Sequence, residues 1–377
     1  MNKEYTVMLA AGGTGGHLFP AYALAEELQR RGIAVDLITD MRGDRYGSGF
    51  PARNVYQVPA ATLASRSPVA AATTAIALAS GTKAAHKILG RVKPGAVIGF
   101  GGYPTLPPLV AAKLRGIATA VHEQNAVLGR ANKMLAKRVS AIAASFENTK
   151  YLDGDLIRKS QVTGNPVRQS VIAAAAMPFV APSSGDVVKL LIFGGSQGAR
   201  YFSDTVPPAL AQLPDDIKRR LHVTQQARDE DLERVRNAFA TSGIRAKVDP
   251  FFADLPLRMA SSHLIIGRAG ASTVAELTVI GRPAILVPLP HALDNDQLNN
   301  AQRLADVGGA WCIEQKDLSA SRLASELQRL IAAPERLAHV AAGAKKAGRP
   351  DAVNRLADFV QSLASGNHDF TLATKPA

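Results

Sequence analysis

Two residues in this chain have the chemistry for proton transfer beside glycine-rich turns. His17 closes the run Gly12-Gly13-Thr14-Gly15-Gly16-His17, and Glu123 lies within His122-Glu123-Gln124-Asn125. An imidazole titrates near neutrality, so His17 suits a general base; its other reading is a helix cap or phosphate ligand. Glu123 is the rival base, and its other reading is a structural partner of the neighbouring backbone. Three loops can cradle phosphates, because glycine lets an anion approach backbone N–H groups closely: Gly12 to Gly16, Gly99 to Gly102, and Gly194-Gly195-Ser196-Gln197-Gly198. None carries the Gly-Lys-Ser/Thr of a P-loop or the full dinucleotide fingerprint, which argues against an NTPase or an NAD enzyme. Diphosphates on two substrates would use all three. Asp294 and Asp296, like Asp153 and Asp155, spell an Asp-x-Asp string able to hold a divalent cation, but that spacing is common and no metal is expected. His291 reads as a solvated loop residue.

Elements that position these groups follow from the apolar pattern. Val7 to Ala11 is a strand, and Pro20 with Leu24 and Leu28 predicts a helix from about residue 19, capped by Gly32. Further strands are expected at 33–38, 96–99, 117–121 and 141–145, with helices over 63–92, 105–115 and 130–138. After the Pro182-Ser183-Ser184-Gly185 turn the pattern restarts, with strands at 187–193, 221–224, 264–266 and 284–287 and a last helix over 352–363. Two glycine-rich loops about 180 residues apart, each opening a strand and helix series, indicate an α/β chain of two Rossmann-like domains.

A length of 377 residues also favours two domains. The single cysteine, Cys312, allows no internal disulfide and fits a reducing compartment. Met1 to Tyr5 has no signal-peptide core, and Pro68 to Ser80 is far short of a membrane span. The net charge is +13 and unevenly placed: residues 1–166 hold 20 basic and 10 acidic side chains, residues 167–350 hold 22 and 18, and residues 45–122 hold no acid at all. A basic face of this kind meets nucleic acid, an anionic membrane or an acidic substrate. Nucleic acid is disfavoured, since the region lacks RNA-binding signatures, zinc spacing and interleaved aromatics.

Six motifs occur in a set order: Gly12 to Pro20, Gly99 to Pro104, His122 to Asn125, Gly164-Asn165-Pro166-Val167-Arg168, Gly194 to Arg200, and Arg268 to Glu276. Together they resemble the MurG family, the bacterial glycosyltransferases of peptidoglycan synthesis that add N-acetylglucosamine to lipid I and give lipid II. The resemblance covers the chain to about residue 313. It implies the GT-B architecture, with two Rossmann-like parallel-sheet domains facing across a cleft. Residues 1–166 would form the acceptor and membrane-facing domain, with the helix at 351–365 packing back on it. Residues 167–350 would bind UDP-N-acetylglucosamine, and 366–377 would be a loose tail.

By position, the resemblance makes Glu276 the carboxylate for the ribose hydroxyls, Phe252 the residue whose backbone meets uracil, and Ser196 a diphosphate contact. Ala271, Ser272, Thr273, Val274 and Ala275 would start the helix beneath the nucleotide, Arg168 would supply charge near the hinge, and Gln297 would read sugar hydroxyls. Thr14, Gly15, Gly16 and Asn125 match further contacts of the first domain. Asp296 departs from the Gln-Gln seen in some members. The implied reaction is an inverting, metal-independent transfer without a cofactor, in which the C4 hydroxyl of N-acetylmuramic acid attacks and a base such as His17 takes its proton.

The implied partners are UDP-N-acetylglucosamine, lipid I (undecaprenyl-diphospho-N-acetylmuramoyl-pentapeptide) and an anionic membrane surface. The expected location is peripheral, on the cytoplasmic side of the bacterial inner membrane, held through Leu63 to Arg91 with help from Arg130 to Arg138. Alternatives are another GT-B UDP-sugar enzyme (a glycolipid synthase or a UDP-N-acetylglucosamine 2-epimerase), a non-catalytic sugar-nucleotide or membrane-surface binder, and a dinucleotide oxidoreductase.

Overall fold

Parallel strands need crossover helices that cover both sheet faces, so a strand buried on both faces reads as an apolar run and not as an alternation. Val7, Met8, Leu9 and Ala10 show this, each fully buried. The computed structural model describes residues 5–12, 15–40, 49–61, 67–195, 199–290 and 292–366. It contains two compact units, one of residues 1–168 with 350–377 and one of residues 169–349.

The first unit holds β1 (Thr6–Ala10), β2 (Ala34–Thr39), β3 (Asn54–Gln57), β4 (Ala96–Gly99), β5 (Ala118–Glu123), β6 (Ala141–Ala144) and β7 (Ser160–Val162). All pair in parallel, in the order β3-β2-β1-β4-β5-β6-β7. The second holds β8 (Val188–Phe193), β9 (Leu221–Gln226), β10 (Arg245–Asp249), β11 (Leu264–Gly267), β12 (Ala284–Leu286) and β13 (Trp311–Cys312), also parallel, in the order β10-β9-β8-β11-β12-β13. Each sheet therefore starts at its centre, winds one way, and then reverses. The reversal lies between β1 and β4 in one unit and between β8 and β11 in the other. Ligands of such sheets sit outside the carboxyl ends of the strands at that reversal. Gly12, Gly101-Gly102, Gly194-Gly195 and Arg268-Ala269-Gly270 each follow one of those four strands.

The C-terminal helix Ala352–Ala364 belongs to the first unit, where Leu356, Phe359, Val360 and Leu363 share a core with Leu24 and Leu28. Arg31 anchors it through an ion pair to Asp358. Among the described residues no helix is long and apolar enough to cross a membrane.

Several boundaries differ from the sequence expectation. The first helix is Gly15–Arg30, so it starts in the glycine run and His17 lies within its first turn; Pro20 sits in the second turn. Its end is as expected, with Gly32 at φ 75° donating to the Gln29 carbonyl. The helix expected over 63–92 is Pro68–Val92, because Ser67 caps it by accepting from the Ala70 N–H at 3.2 Å and Pro68 occupies the first turn. Residues 62–66 lie outside the described residues, as do 367–377. The segment expected as one helix over 105–115 is a 3-10 turn, Tyr103–Thr105, followed by the helix Leu106–Leu114. The strands β3, β7, β10 and β13 have no counterpart in the sequence reading, and they are the four edges of the two sheets.

Candidate active site

At the reversal point of the first sheet, the helix Gly15–Arg30 begins where β1 ends, with no acidic residue in its first turn to compete for an anion. The imidazole of His17 packs on the turn after β4. Gly101 and Gly102 have φ values of 88° and 73°, and a Cβ on them would lie 3.2 Å from His17 Cε1 and 3.4 Å from His17 Cδ2. Both positions therefore favour glycine for backbone and for space. Burial lowers the pKa of His17, while the Gln124 side chain and the Phe100 carbonyl favour its protonated form.

His122 is fully buried at the end of β5, its ring tilted against Phe100 at 5.5 Å, and burial drives its pKa down to about 4. Its Nε2 lies 3.0 Å from the Gly164 carbonyl, and its Nδ1 lies 2.9 Å from Gln124 Nε2. Gln124 also donates to the His122 carbonyl at 3.0 Å and presents Oε1 to His17 Nδ1 at 3.2 Å.

Glu123 is 1% exposed and saturated. One oxygen accepts from the N–H and the side-chain amide of Asn125 at 3.0 and 3.2 Å; the other accepts from the Gly129 N–H and Asn132 Nδ2, both at 2.8 Å. Burial raises its pKa against these donors. Its geometry is that of a loop organiser for residues 123–132, with its acceptor capacity spent on structure. Asn125 is thereby tied to Glu123. The Arg168 guanidinium stacks over the Phe19 ring at 4.4 Å, on the helix that carries His17.

At the reversal point of the second sheet, Gly270 precedes the helix Ala271–Ile280 with no side-chain cap on its first N–H groups. Ala271, Ser272, Thr273, Val274 and Ala275 form its first turns, and Glu276 is buried at 6% exposure. Gln297 Oε1 accepts from the N–H groups of Ala269 and Leu289 at 3.3 and 3.0 Å, so its amide nitrogen is what remains for a sugar hydroxyl. The carboxylate of Asp296 accepts from the Gln297 N–H at 2.7 Å, and burial raises its pKa. Phe252 is buried after β10, with the Arg258 guanidinium 4.5 Å from its ring centre.

Two residues of this region were not singled out from the sequence. Arg268, just past β11, is 6% exposed and donates to the carbonyls of Val287 and Pro288 at 3.1 Å and to Gln315 Oε1 at 2.7 Å. Tyr201 and Phe202 flank it at 5.2 and 5.1 Å. None of these partners is anionic, and burial lowers its pKa to about 10. A charge left this way favours an anion nearby. Gln226 braces two loops, accepting from the Gly194 N–H at 3.2 Å and donating to the Pro250 carbonyl at 3.1 Å. Arginine directly after a buried strand was a legible signal; the brace had none.

Thr14, Ser196 and His291 lie outside the described residues. Among the described residues, no group of three or more His, Cys, Asp or Glu side chains could hold a metal ion.

Residues 7–144 match the glycosyltransferase family 28 N-terminal domain and residues 189–356 its C-terminal domain. A Rhizobium etli protein named UDP-N-acetylglucosamine–N-acetylmuramyl-(pentapeptide) pyrophosphoryl-undecaprenol N-acetylglucosamine transferase is 53% identical over 361 residues, covering 96% of each chain. One of the same name from Nitrobacter winogradskyi is 54% identical over 364 residues, covering 97% of this chain and 99% of its own. The crystal structure of Acinetobacter baumannii MurG superposes with a TM-score of 0.77 at 30% identity, covering 95% of this chain and 99% of that one.

Proposed function

Since the chain belongs to glycosyltransferase family 28, with the GT-B fold, we propose that it transfers N-acetylglucosamine from UDP-N-acetylglucosamine to lipid I and so makes lipid II for peptidoglycan. The identity of more than half its residues with transferases of that name, over nearly the full length of both chains, carries this reading. The placement of four motifs at the two sheet reversals supports it.

In this reading the second unit takes the sugar nucleotide. Backbone N–H groups at Gly195 and at the start of the helix Ala271–Ile280 face the diphosphate together with the Ser196 loop, and Arg268 adds positive charge as UDP departs. Glu276 takes the ribose hydroxyls, Phe252 the uracil through its backbone, and Gln297 the sugar. The first unit takes lipid I, with Thr14, Gly15 and Gly16 at its diphosphate and Asn125 and Arg168 nearby. His17 takes the proton of the attacking C4 hydroxyl, and the anomeric centre inverts.

The acceptor is lipid-borne, so the enzyme works at the cytoplasmic face of the inner membrane. On the helix Pro68–Val92, Ile76, Ser80, Lys83, Lys87 and Arg91 form one exposed stripe at helical spacing. The adjacent helix Leu106–Leu114 adds exposed Val110, Lys113 and Leu114, and Arg130 to Arg138 adds more positive charge. Apolar side chains among cations suit an anionic lipid surface.

Labelled UDP-N-acetylglucosamine incubated with a short-chain lipid I analogue, with and without a chelator, tests the reaction. Label should pass to the acceptor in both cases. Absence of transfer overturns the function, and loss of transfer with chelator alone overturns metal independence.

A further inference from the structure

The hydrogen bonds around His122 and Gln124 have only one consistent assignment of donors and acceptors. A backbone carbonyl can only accept, so His122 Nε2, 3.0 Å from the Gly164 carbonyl, carries the proton of that neutral ring. Its Nδ1 is then a lone pair. The Gln124 amide cannot be turned over, because its nitrogen meets two acceptors, the His122 carbonyl at 3.0 Å and His122 Nδ1 at 2.9 Å. An oxygen there would face both. Gln124 Oε1 is therefore fixed toward His17 Nδ1 at 3.2 Å, where it can only accept. The Nε2–H tautomer of His17 would set its Nδ1 lone pair against that oxygen; the Phe100 carbonyl, the weaker of the two acceptors beside the ring, favours a proton on it without selecting the nitrogen.

We propose that Gln124 is a positioning residue which, held by His122 and the Gly164 carbonyl, keeps the proton of neutral His17 on Nδ1 and leaves Nε2 as the nitrogen that accepts the substrate proton. The proposal rests on the reading of His17 as the base. In the step itself, the acceptor hydroxyl proton passes to Nε2 as its oxygen bonds to the anomeric carbon, and UDP departs with the electron pair of the broken C–O bond. The resulting imidazolium keeps its Nδ1–H on Gln124, so no second proton moves, and Nε2 later returns the proton to water. The relay joins segments 107 and 42 residues apart in sequence, from the first helix through the end of β5 to the loop after β7. It gives the Gly164 turn a part in the chemistry that needs no contact with substrate.

Nitrogen-15 NMR of histidine-labelled enzyme tests this directly, with the His17 signals assigned by their loss in His17→Asn. The wild-type protein should show His17 protonated on Nδ1 and unprotonated on Nε2. Gln124→Met, which keeps length and removes both the acceptor and the donor, should mix the tautomers. It should also lower kcat by at least about tenfold while leaving KM for the sugar nucleotide within about twofold. Because the wild-type spectrum needs no variant to fold, the proposal does not depend on how Gln124→Met behaves. A wild-type His17 protonated on Nε2, with His17→Asn inactive, overturns the relay alone. Full turnover in His17→Asn overturns the base reading and, with it, this role for Gln124.

Discussion

Glu123 accepts a hydrogen bond from the side-chain amide of Asn132 at 2.8 Å, and three further donors fill the remaining sites on the two carboxylate oxygens. A general base needs a free lone pair aimed at substrate; this carboxylate has committed its lone pairs to the loop that follows β5. Glu123→Gln would turn one of those acceptors into a donor facing N–H groups. It should cost about 1–3 kcal/mol of stability, the penalty for leaving buried donors unmatched. Urea unfolding measures this, while single-turnover rates at a temperature where the variant is folded should fall less than in His17→Asn. A loss of turnover equal to that of His17→Asn, with stability unchanged, would return Glu123 to candidacy as the base.

His122 makes the protein sensitive to acid in a specific window. Its folded pKa is about 4 against 6.5 for the free side chain. Between those values the unfolded chain binds more protons, so the neutral ring's contribution is complete above about pH 6.5 and drains away as pH falls toward 4, by roughly 3 kcal/mol at most. Glu123 acts with the opposite sign, since its raised pKa costs stability above its unfolded value. Comparison of wild type with His122→Asn separates the two. From pH 7.5 to pH 5, the wild-type unfolding free energy should fall further than that of the variant; equal losses would show that His122 is not titrating as its burial requires.

Arg268 places a cation where the carbonyls of Val287 and Pro288 and the side chain of Gln315, all neutral, are its hydrogen-bond partners. If its charge serves the diphosphate, Arg268→Met should weaken UDP binding by about 10- to 100-fold in calorimetry, or roughly 1.4–2.8 kcal/mol. Arg268→Lys should recover part of that affinity, because the charge survives while the three directed hydrogen bonds do not. Unchanged UDP affinity in the methionine variant would reduce Arg268 to a strut between β11, β12 and the Gln315 turn.

Charge reversal of Lys83, Lys87 and Arg91 to Glu addresses the membrane reading. These three side chains are exposed on a helix whose opposite stripe, through Ala85 and Leu89, is buried. Each cation near an anionic leaflet contributes about 1 kcal/mol, so the triple variant should leave the pellet in sedimentation with anionic liposomes and stay bound to none. Its activity on a water-soluble acceptor analogue should persist. Sedimentation equal to wild type would remove this stripe as the contact.

What the sequence determined by itself was the interior of each sheet and the loops that leave it. Residues 7–10 of β1 and all of β12 are buried on both faces and apolar, so a run like Val-Met-Leu-Ala is legible without its neighbours. The glycines after them are legible by residue type, although the space that calls for Gly101 and Gly102 is set by His17 on the first helix. The edge strands were not legible for the converse reason. β3 is Asn-Val-Tyr-Gln and mostly exposed, and β10 is Arg-Ala-Lys-Val-Asp; each pairs on one side only, so its side chains carry no apolar run and its strand state is imposed by the neighbour.

The same distinction governs the site. Residue types at the strand ends named His17, Glu123 and the glycine loops, and six motifs in a set order, through the family they resemble, named the sugar-nucleotide contacts. Their roles were decided by contacts between motifs far apart in the chain. Glu123 became a loop organiser through Gly129 and Asn132, and His17 acquired a defined tautomer through Gln124, His122 and the carbonyl of Gly164. A tautomer is set by which partner can only donate and which can only accept, and that is settled when tertiary structure brings the last carbonyl into place.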